Sequence, residues 1–198
     1  MNRQISNNGK PKEIVVISGK GGTGKTSIVA CFAYLARQKV ISDCDVDAAD
    51  LHLLLQPEVL ERRSFSGGKK PEIDMAICTR CGECASSCRF GAISEDIQVD
   101  LVSCEGCSVC YHVCPVEAIK MTPRASGELM ISESRFGTLV HARLFPGEEN
   151  SGKLVSRVRK EARRIAQERD IPLIITDGPP GIGCPVIASI GNCHLALI

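Results

Sequence analysis

Eight of the twelve cysteines fall into two runs of identical spacing, which constrain this chain more than any other feature. The runs are Cys78-x2-Cys81-x2-Cys84-x3-Cys88 and Cys104-x2-Cys107-x2-Cys110-x3-Cys114, and Pro115 follows the second one. Thiolates are soft ligands, and four of them suit an iron–sulfur cluster or zinc. The two runs therefore indicate a metal-binding segment.

The spacing inside each run indicates how the thiolates are shared between two metal centres. Cysteines separated by two residues can surround one [4Fe–4S] cluster, and the three-residue gap directs the fourth cysteine to the other cluster, a pattern that resembles bacterial ferredoxins. Arg89 follows the first run in place of proline, a departure that changes no ligand. We therefore predict one cluster on Cys78, Cys81, Cys84 and Cys114, and a second on Cys88, Cys104, Cys107 and Cys110.

An internal repeat supports the pairing of the two runs. At an offset of 26 residues all four cysteines coincide, and so do Ala92 with Ala118 and Ile93 with Ile119. We expect Ile93 and Ile119 to be the apolar side chains that cover the two clusters.

Disulfides and structural zinc are the two alternative interpretations of the cysteines. Disulfides require an oxidising compartment, and the N-terminal MNRQISNNGKPK has no apolar signal segment. Structural zinc usually takes two CxxC pairs, whereas these runs offer three ligands and a remote fourth. Paired [4Fe–4S] clusters account best for the spacing.

A glycine-rich loop near the N-terminus predicts a nucleotide site. Gly19-x4-Gly24-Lys25-Thr26 matches the phosphate-loop pattern, between an apolar run at 13–18 and a helical pattern at 25–37. Backbone N–H groups and the helix N-terminus would hold the phosphates, Lys25 would bridge the β- and γ-phosphates, and Thr26 would bind Mg²⁺. The predicted ATP-binding residues are Gly19, Lys20, Gly21, Gly22, Thr23, Gly24, Lys25, Thr26 and Ser27.

Carboxylates at two predicted strand ends complete this site. Asp45 follows the strand at 40–44, and Asp177 ends the apolar strand at 172–177. Ligands of open α/β sheets bind outside the carboxyl ends of the strands, so we expect Asp177 to bind Mg²⁺ as Walker-B aspartates do. For Asp47 and Asp50 a turn or helix cap is the simpler interpretation.

These motifs together resemble the MinD/ParA superfamily of P-loop ATPases. Lys20 stands where that class carries an extra lysine, Asp43-Cys44-Asp45 resembles its first switch, and Asp177-Gly178-Pro179-Pro180-Gly181 resembles its second. The cysteine runs narrow the resemblance to members that contain a ferredoxin domain. It implies a parallel α/β P-loop NTPase sheet with helices on both faces, interrupted by a ferredoxin-like α+β insert. It also implies a homodimer that sandwiches ATP, with Lys20 acting in trans and Asp45 positioning water, so that Lys20, Lys25 and Asp45 are the catalytic residues.

The sequence predicts four segments. Residues 1–56 begin the ATPase domain, 57–71 form a linker, 72–121 form the ferredoxin-like insert, and 122–198 continue the ATPase domain. Relatives of this kind continue further, so we expect the ATPase part to be incomplete at its C-terminus. On the helix predicted at 151–169, we expect the basic residues to form a solvated face.

The composition limits the classes of partner that we expect for this chain. It is 43% hydrophobic and 24% charged with a net charge of +1, which gives no reason to expect nucleic acid as a partner. No apolar run approaches the roughly 20 residues of a membrane span. We expect a cytoplasmic protein that meets an unidentified redox partner or cluster acceptor.

The leading hypothesis is an ATPase that couples nucleotide-driven conformational change to electron transfer. An iron–sulfur cluster carrier or assembly ATPase is the main alternative. A positioning ATPase like MinD would require a C-terminal membrane-targeting helix that this sequence does not show. An amidating enzyme would require a glutaminase domain, and none is present in the sequence.

Overall fold

A computed structural model describes residues 10–148 and 151–198. Within these residues the chain forms two compact units. The first, here the sheet unit, contains residues 10–65, 127–145 and 151–198. The second, here the cysteine unit, contains residues 66–126 and 146–148. The cysteine unit is thus inserted into the sequence of the sheet unit.

Strands and helices alternate through the sheet unit and are short in the cysteine unit. In chain order the elements are β1 (Lys12–Ser18), α1 (Lys25–Leu35), β2 (Lys39–Asp43), α2 (Leu51–Leu55), β3 (Glu58–Phe65), β4 (Gly68–Ile73), α3 (Glu83–Ser86), α4 (Val109–Val113), β5 (Ile119–Arg124), β6 (Gly127–Ser134), β7 (Gly137–Leu144), α5 (Ser151–Glu168), β8 (Leu173–Pro180), α6 (Cys184–Ile190) and β9 (Leu195–Leu197). None of the helices in the described part of the chain is long and apolar enough to cross a membrane.

Seven strands form one sheet in the order β3-β6-β7-β2-β8-β1-β9. The pairs from β7 to β9 are parallel, whereas β3, β6 and β7 pair antiparallel. β1, β2 and β8 lie at the centre, and they correspond to the three apolar strands that the sequence predicts. The sheet unit is therefore mixed α/β with a mostly parallel sheet.

The central strands bury both of their faces, because successive side chains point to opposite sides of a strand. Val40 and Ile174 pack with α5 on one side. Ile41 and Ile175 pack with α1 and α2 on the other side. Burial on both faces explains why these strands are continuous apolar runs without alternation.

The predicted linker at 57–71 is wrong, because most of it is strand. β3 pairs antiparallel with β6 from Glu58 to Phe65, and β4 begins at Gly68. β3 has a single strand neighbour and its side chains are largely exposed. An edge strand of this kind carries charged residues, so its sequence, EVLERRSF, does not show an apolar pattern.

The cysteine unit has a small sheet and a small core. β4 and β5 form an antiparallel pair from Gly68–Arg124 to Ile73–Ile119, and Ile93 bridges Val99. The buried core consists of Cys84, Ile93, Ile97 and Ile119. The pair Ile73–Ile119 and the pair Val99–Ile93 are related by the 26-residue offset. The repeat seen in the sequence is therefore also a repeat of the fold.

A buried ion-pair network joins α5 to the sheet. Arg159 donates to both carboxylate oxygens of Glu13 at 2.7 and 2.8 Å, and Arg163 donates to the same carboxylate at 2.6 Å. Glu13 and Arg159 are 1% and 4% exposed. The predicted solvated basic face is therefore wrong for Arg159, because the sequence does not show that a strand carboxylate lies beneath the helix.

We expect Arg159→Met to lower the melting temperature by roughly 10 °C, because breaking a buried pair costs about 3 kcal/mol or more. Arg157→Met is the matched control, since Arg157 is exposed on the same helix. It should change the melting temperature by about 2 °C or less. Equal losses in the two variants, measured by thermal unfolding, would contradict a structural role for the Glu13–Arg159 pair.

Candidate functional site

The eight cysteines of the two runs line two separate cavities, four to each. The first cluster site contains Cys78, Cys81, Cys84 and Cys114. The second cluster site contains Cys88, Cys104, Cys107 and Cys110. Each site takes three cysteines from one run and the fourth from the other, which is the grouping that the spacing predicts.

The backbone around the two sites follows the 26-residue repeat. A left-handed conformation occurs at 80 and 106, at 82 and 108, and at 91 and 117. Only one residue in each pair is glycine, so the repeated backbone path is kept even where a side chain makes it unfavourable. The two cysteine loops thus have a common geometry that was not visible from the cysteine spacing alone.

Backbone N–H groups donate to the cysteine sulfurs. The amides of Arg80 and Gly106 each donate to a sulfur at 3.4 Å, to Cys78 and Cys104 respectively. A further amide, that of Ala118, donates to Cys114 at 3.3 Å. Hydrogen bonds to ligand sulfurs are one of the factors that set the reduction potential of an iron–sulfur cluster.

Apolar side chains close the sites. Ile119 lines the first site and Ile93 lines the second, and both are buried. Burial raises the pKa of the Cys84 and Cys110 thiols, with a smaller contribution from neighbouring cysteines. Because a metal centre binds the thiolate form of cysteine, binding of a metal centre at either site releases protons and is favoured by higher pH.

The arrangement does not gather the thiols around one ion. Among residues 10–148 and 151–198, no three His, Cys, Asp or Glu side chains converge on a single metal-ion position. The thiols instead surround cavities, and Cys81 and Cys107 are exposed at their edges. A multi-atom cluster fits this donor set and leaves each site an edge through which an electron can pass.

The glycine loop, residues 19–27, joins β1 to α1 in the sheet unit. Gly22 and Gly24 have φ of 75° and 85°, which only glycine adopts freely. Gly19 and Gly21 have no such requirement, and a Cβ on either would meet nothing within 4 Å. The packing of the chain does not explain these two glycines, whereas close approach of a ligand to the backbone would.

Lys25 lies between two carboxylates at the mouth of this loop. Its Nζ is 2.5 Å from Asp177 Oδ1 and 3.7 Å from Asp45 Oδ2. Asp177 Oδ2 is buried and has no hydrogen-bond partner among the described residues. A buried carboxylate oxygen of this kind, close to the Thr26 hydroxyl, is a suitable ligand for a hard cation such as Mg²⁺.

Burial raises the pKa of three carboxyl groups in this site. Burial raises the pKa of Asp177, and Lys25 offsets part of this rise. The pKa of Asp45 is raised for the same reason and is likewise offset by Lys25. Asp43, which is fully buried, has its pKa raised well above the usual range by burial and by Asp177.

Asp43 is a site residue whose role the sequence did not identify. Its carboxylate accepts hydrogen bonds from the amides of Asp45 and Leu51 at 3.1 and 3.3 Å. Asp43 also pairs in register with Asp177 across β2 and β8. Asp43 therefore fixes the segment that carries Asp45. Its position as the last residue of β2 is the sequence feature that could have indicated this role.

All the predicted loop residues except Gly19 line one open cavity. Lys20, Gly21, Thr23 and Ser27 are exposed there, and Asp47 and Asp50 lie at its rim. Asp50 stands at the N-terminus of α2 without a side-chain capping bond. The structure thus brings the glycine loop, Asp45 and Asp177 together in one place.

Comparison with known proteins identifies the cysteine unit. Residues 70–93 and 97–120 each match a family described as a 4Fe-4S binding domain. These residues form two adjacent 4Fe-4S binding domains of ferredoxin type. The two matches cover both cysteine runs completely and leave out residues 94–96, which lie between the matches.

Relatives fall into two groups. An uncharacterized protein of Methanocaldococcus jannaschii is 37% identical over 194 residues, which cover 93% of this chain and 66% of that protein. The pyruvate synthase subunit PorD of Methanothermobacter marburgensis is 40% identical over 52 residues, covering 26% of this chain and 64% of PorD. PorD of M. jannaschii is 39% identical over 54 residues, with 25% and 63% coverage. The chain therefore spans slightly less than two thirds of the length of these relatives.

The crossed grouping of the cysteines predicts different results for two double variants. Cys81→Ala/Cys114→Ala removes two thiols from the first cluster site alone, so about half of the iron should remain. Cys81→Ala/Cys88→Ala removes one thiol from each site and should lose most of the iron. Iron per chain after anaerobic purification measures both. Ligation within single runs would reverse the two outcomes.

Proposed function

We propose that this chain is an ATP-binding and ATP-hydrolysing iron–sulfur protein that couples nucleotide binding to electron transfer. One observation supports the proposal. A chain with two 4Fe-4S binding domains also has a glycine loop whose Lys25 contacts Asp45 and Asp177 near the C-terminal ends of two parallel strands. The fold we propose for the sheet unit is the P-loop NTPase type.

Each cluster site supplies four thiolates to one [4Fe–4S] cluster. Cys78, Cys81, Cys84 and Cys114 hold the first, and Cys88, Cys104, Cys107 and Cys110 hold the second. When bound, such clusters supply one-electron redox chemistry. The buried Ile93 and Ile119 shield the inner side of each site from water, and the amide donors partly neutralise the thiolate charge.

The glycine loop is proposed to bind the phosphates of ATP. α1 begins at Lys25 without a side-chain cap and without an acidic residue in its first turn. Its N–H groups and positive dipole end can therefore meet a phosphate in front of Gly19 and Gly21. Lys25 would exchange its carboxylate contacts for phosphate oxygens, and Thr26 and Asp177 would bind Mg²⁺.

Lys20 and Asp45 are proposed to act in hydrolysis. Lys20 is exposed in the glycine loop, from which its side chain can reach a second copy of the chain. A cation that reaches the γ-phosphate only in the dimer stabilises transition-state charge only after closure, which links hydrolysis to assembly. Asp45, which lies 3.7 Å from Lys25, would orient the attacking water.

A redox protein is the proposed partner. PorD is named as a subunit of pyruvate synthase, and its similarity to this chain is confined to about a quarter of the chain. We therefore assign the electron donor or acceptor to the class of redox enzymes that employ a ferredoxin-type subunit. Delivery of whole clusters to an acceptor protein is the competing function.

Two lysine variants test the nucleotide site. Lys25→Ala should abolish ATP binding, because it removes the loop's phosphate ligand. Lys20→Ala should bind ATP as the parent does but hydrolyse it about 100-fold more slowly, since its contact forms only in the closed dimer. Calorimetry and phosphate release measure the two effects. Equal hydrolysis by Lys20→Ala and the parent would exclude the trans-acting role.

The coupling itself is tested by redox titration of both clusters with and without Mg-ATP. We expect a shift of at least one midpoint potential in the parent and no shift in Lys25→Ala. Unchanged potentials in a parent that binds both ATP and iron would contradict coupling while leaving both sites intact. Loss of clusters to an added apo-acceptor on mixing with ATP would instead favour cluster delivery.

A further inference from the structure

The cysteine unit carries one asymmetry that the repeat does not predict. Lys70 Nζ donates a hydrogen bond to the carbonyl oxygen of Cys104 and another, at 3.2 Å, to that of Leu101. Cys104 belongs to the second cluster site. The ammonium group, only partly exposed, therefore lies against the loop that supplies three of the four thiols of this site.

The position of Lys70 is fixed by the backbone. It lies in β4, where it pairs with Thr122 of β5. The neighbouring carbonyl of Lys69 packs so closely on Gly106 that a Cβ there would lie 2.5 Å from the oxygen. A glycine inside the Cys104 loop thus allows β4 to approach it, and this approach brings the cation to the loop.

The first cluster site has no cation at the position that matches Lys70. The residue 26 positions after Lys70 is Asp96, which is exposed in the turn between Ile93 and Val99. Other charged groups do repeat: Asp74 and Asp100 accept from the amides of Ala76 and Val102 in the same way. Arg80 and Glu83 in the first loop and Glu105 in the second do not repeat, but all three are exposed and are therefore screened more strongly by solvent than Lys70. Lys70 is the partly buried charge that distinguishes the two sites.

We propose that Lys70 makes the second cluster site the higher-potential one, so that an electron entering the chain comes to rest there. A nearby cation stabilises the reduced cluster, which is the more negative form. The first site has one extra sulfur hydrogen bond, from Ala118. That donor is a neutral dipole whose field falls off faster than that of a full charge, so the ammonium dominates. This inference rests on the cluster assignment proposed above.

Variants of Lys70 separate charge from hydrogen bonding. Lys70→Gln keeps a donor for the carbonyls and loses the charge, whereas Lys70→Arg keeps the charge. Lys69→Gln is the matched control, because Lys69 lies in the same strand, is exposed and loses the same charge. Each variant is combined with two backgrounds. Cys81→Ala/Cys114→Ala retains the second cluster, and Cys88→Ala/Cys107→Ala retains the first.

Redox titration followed by electron paramagnetic resonance gives the readout. Lys70→Gln should lower the midpoint potential of the second cluster, changing its reduced-to-oxidised ratio on the order of tenfold, or about 60 mV for one electron. The first cluster, Lys70→Arg and Lys69→Gln should show little change. Equal shifts of both clusters, or no shift of the second, would overturn the role of Lys70. Iron-free protein would instead contradict the cluster assignment, so the two failures are distinguishable.

Discussion

Crossed sharing of thiolates between the two cysteine runs is the constraint on which the cysteine unit depends. Each site takes its fourth cysteine from the other run, so neither site is complete until both halves of the repeat have folded together. The unit buries only a few apolar side chains, and a core of this size contributes little stability. Cluster binding is therefore expected to supply much of the folding free energy of this unit.

The sheet unit depends on a different arrangement. Its parallel strands β2 and β8 end side by side, which aligns Asp43 with Asp177 at one edge. Burial makes both carboxyl groups costly to ionise, and Lys25 is the cation that meets Asp177 directly. In the proposed nucleotide site, Lys25 has two alternative sets of anionic partners, these carboxylates and the phosphates of ATP. Under that proposal, exchange between the two sets is how nucleotide binding alters the rest of the sheet unit.

Much of this arrangement was predictable from sequence, for identifiable reasons. The central strands are buried on both faces and so appear as apolar runs. The cysteine spacing predicted the two groups that the structure gathers. β3 was missed because an edge strand with charged residues has no strong period. Arg159 and Lys70 were missed because their partners, Glu13 and the carbonyl of Cys104, are distant in sequence. Long-range contacts of single polar groups leave no local pattern.

The function proposed for this chain requires that its eight paired cysteines hold two iron–sulfur clusters. Iron, acid-labile sulfide and zinc, quantified per chain in anaerobically purified protein, test it most directly. We expect iron and sulfide in equal amounts, sufficient for two [4Fe–4S] clusters in each chain, with negligible zinc. Zinc in place of iron, or protein that holds neither iron nor sulfide under argon, would contradict it.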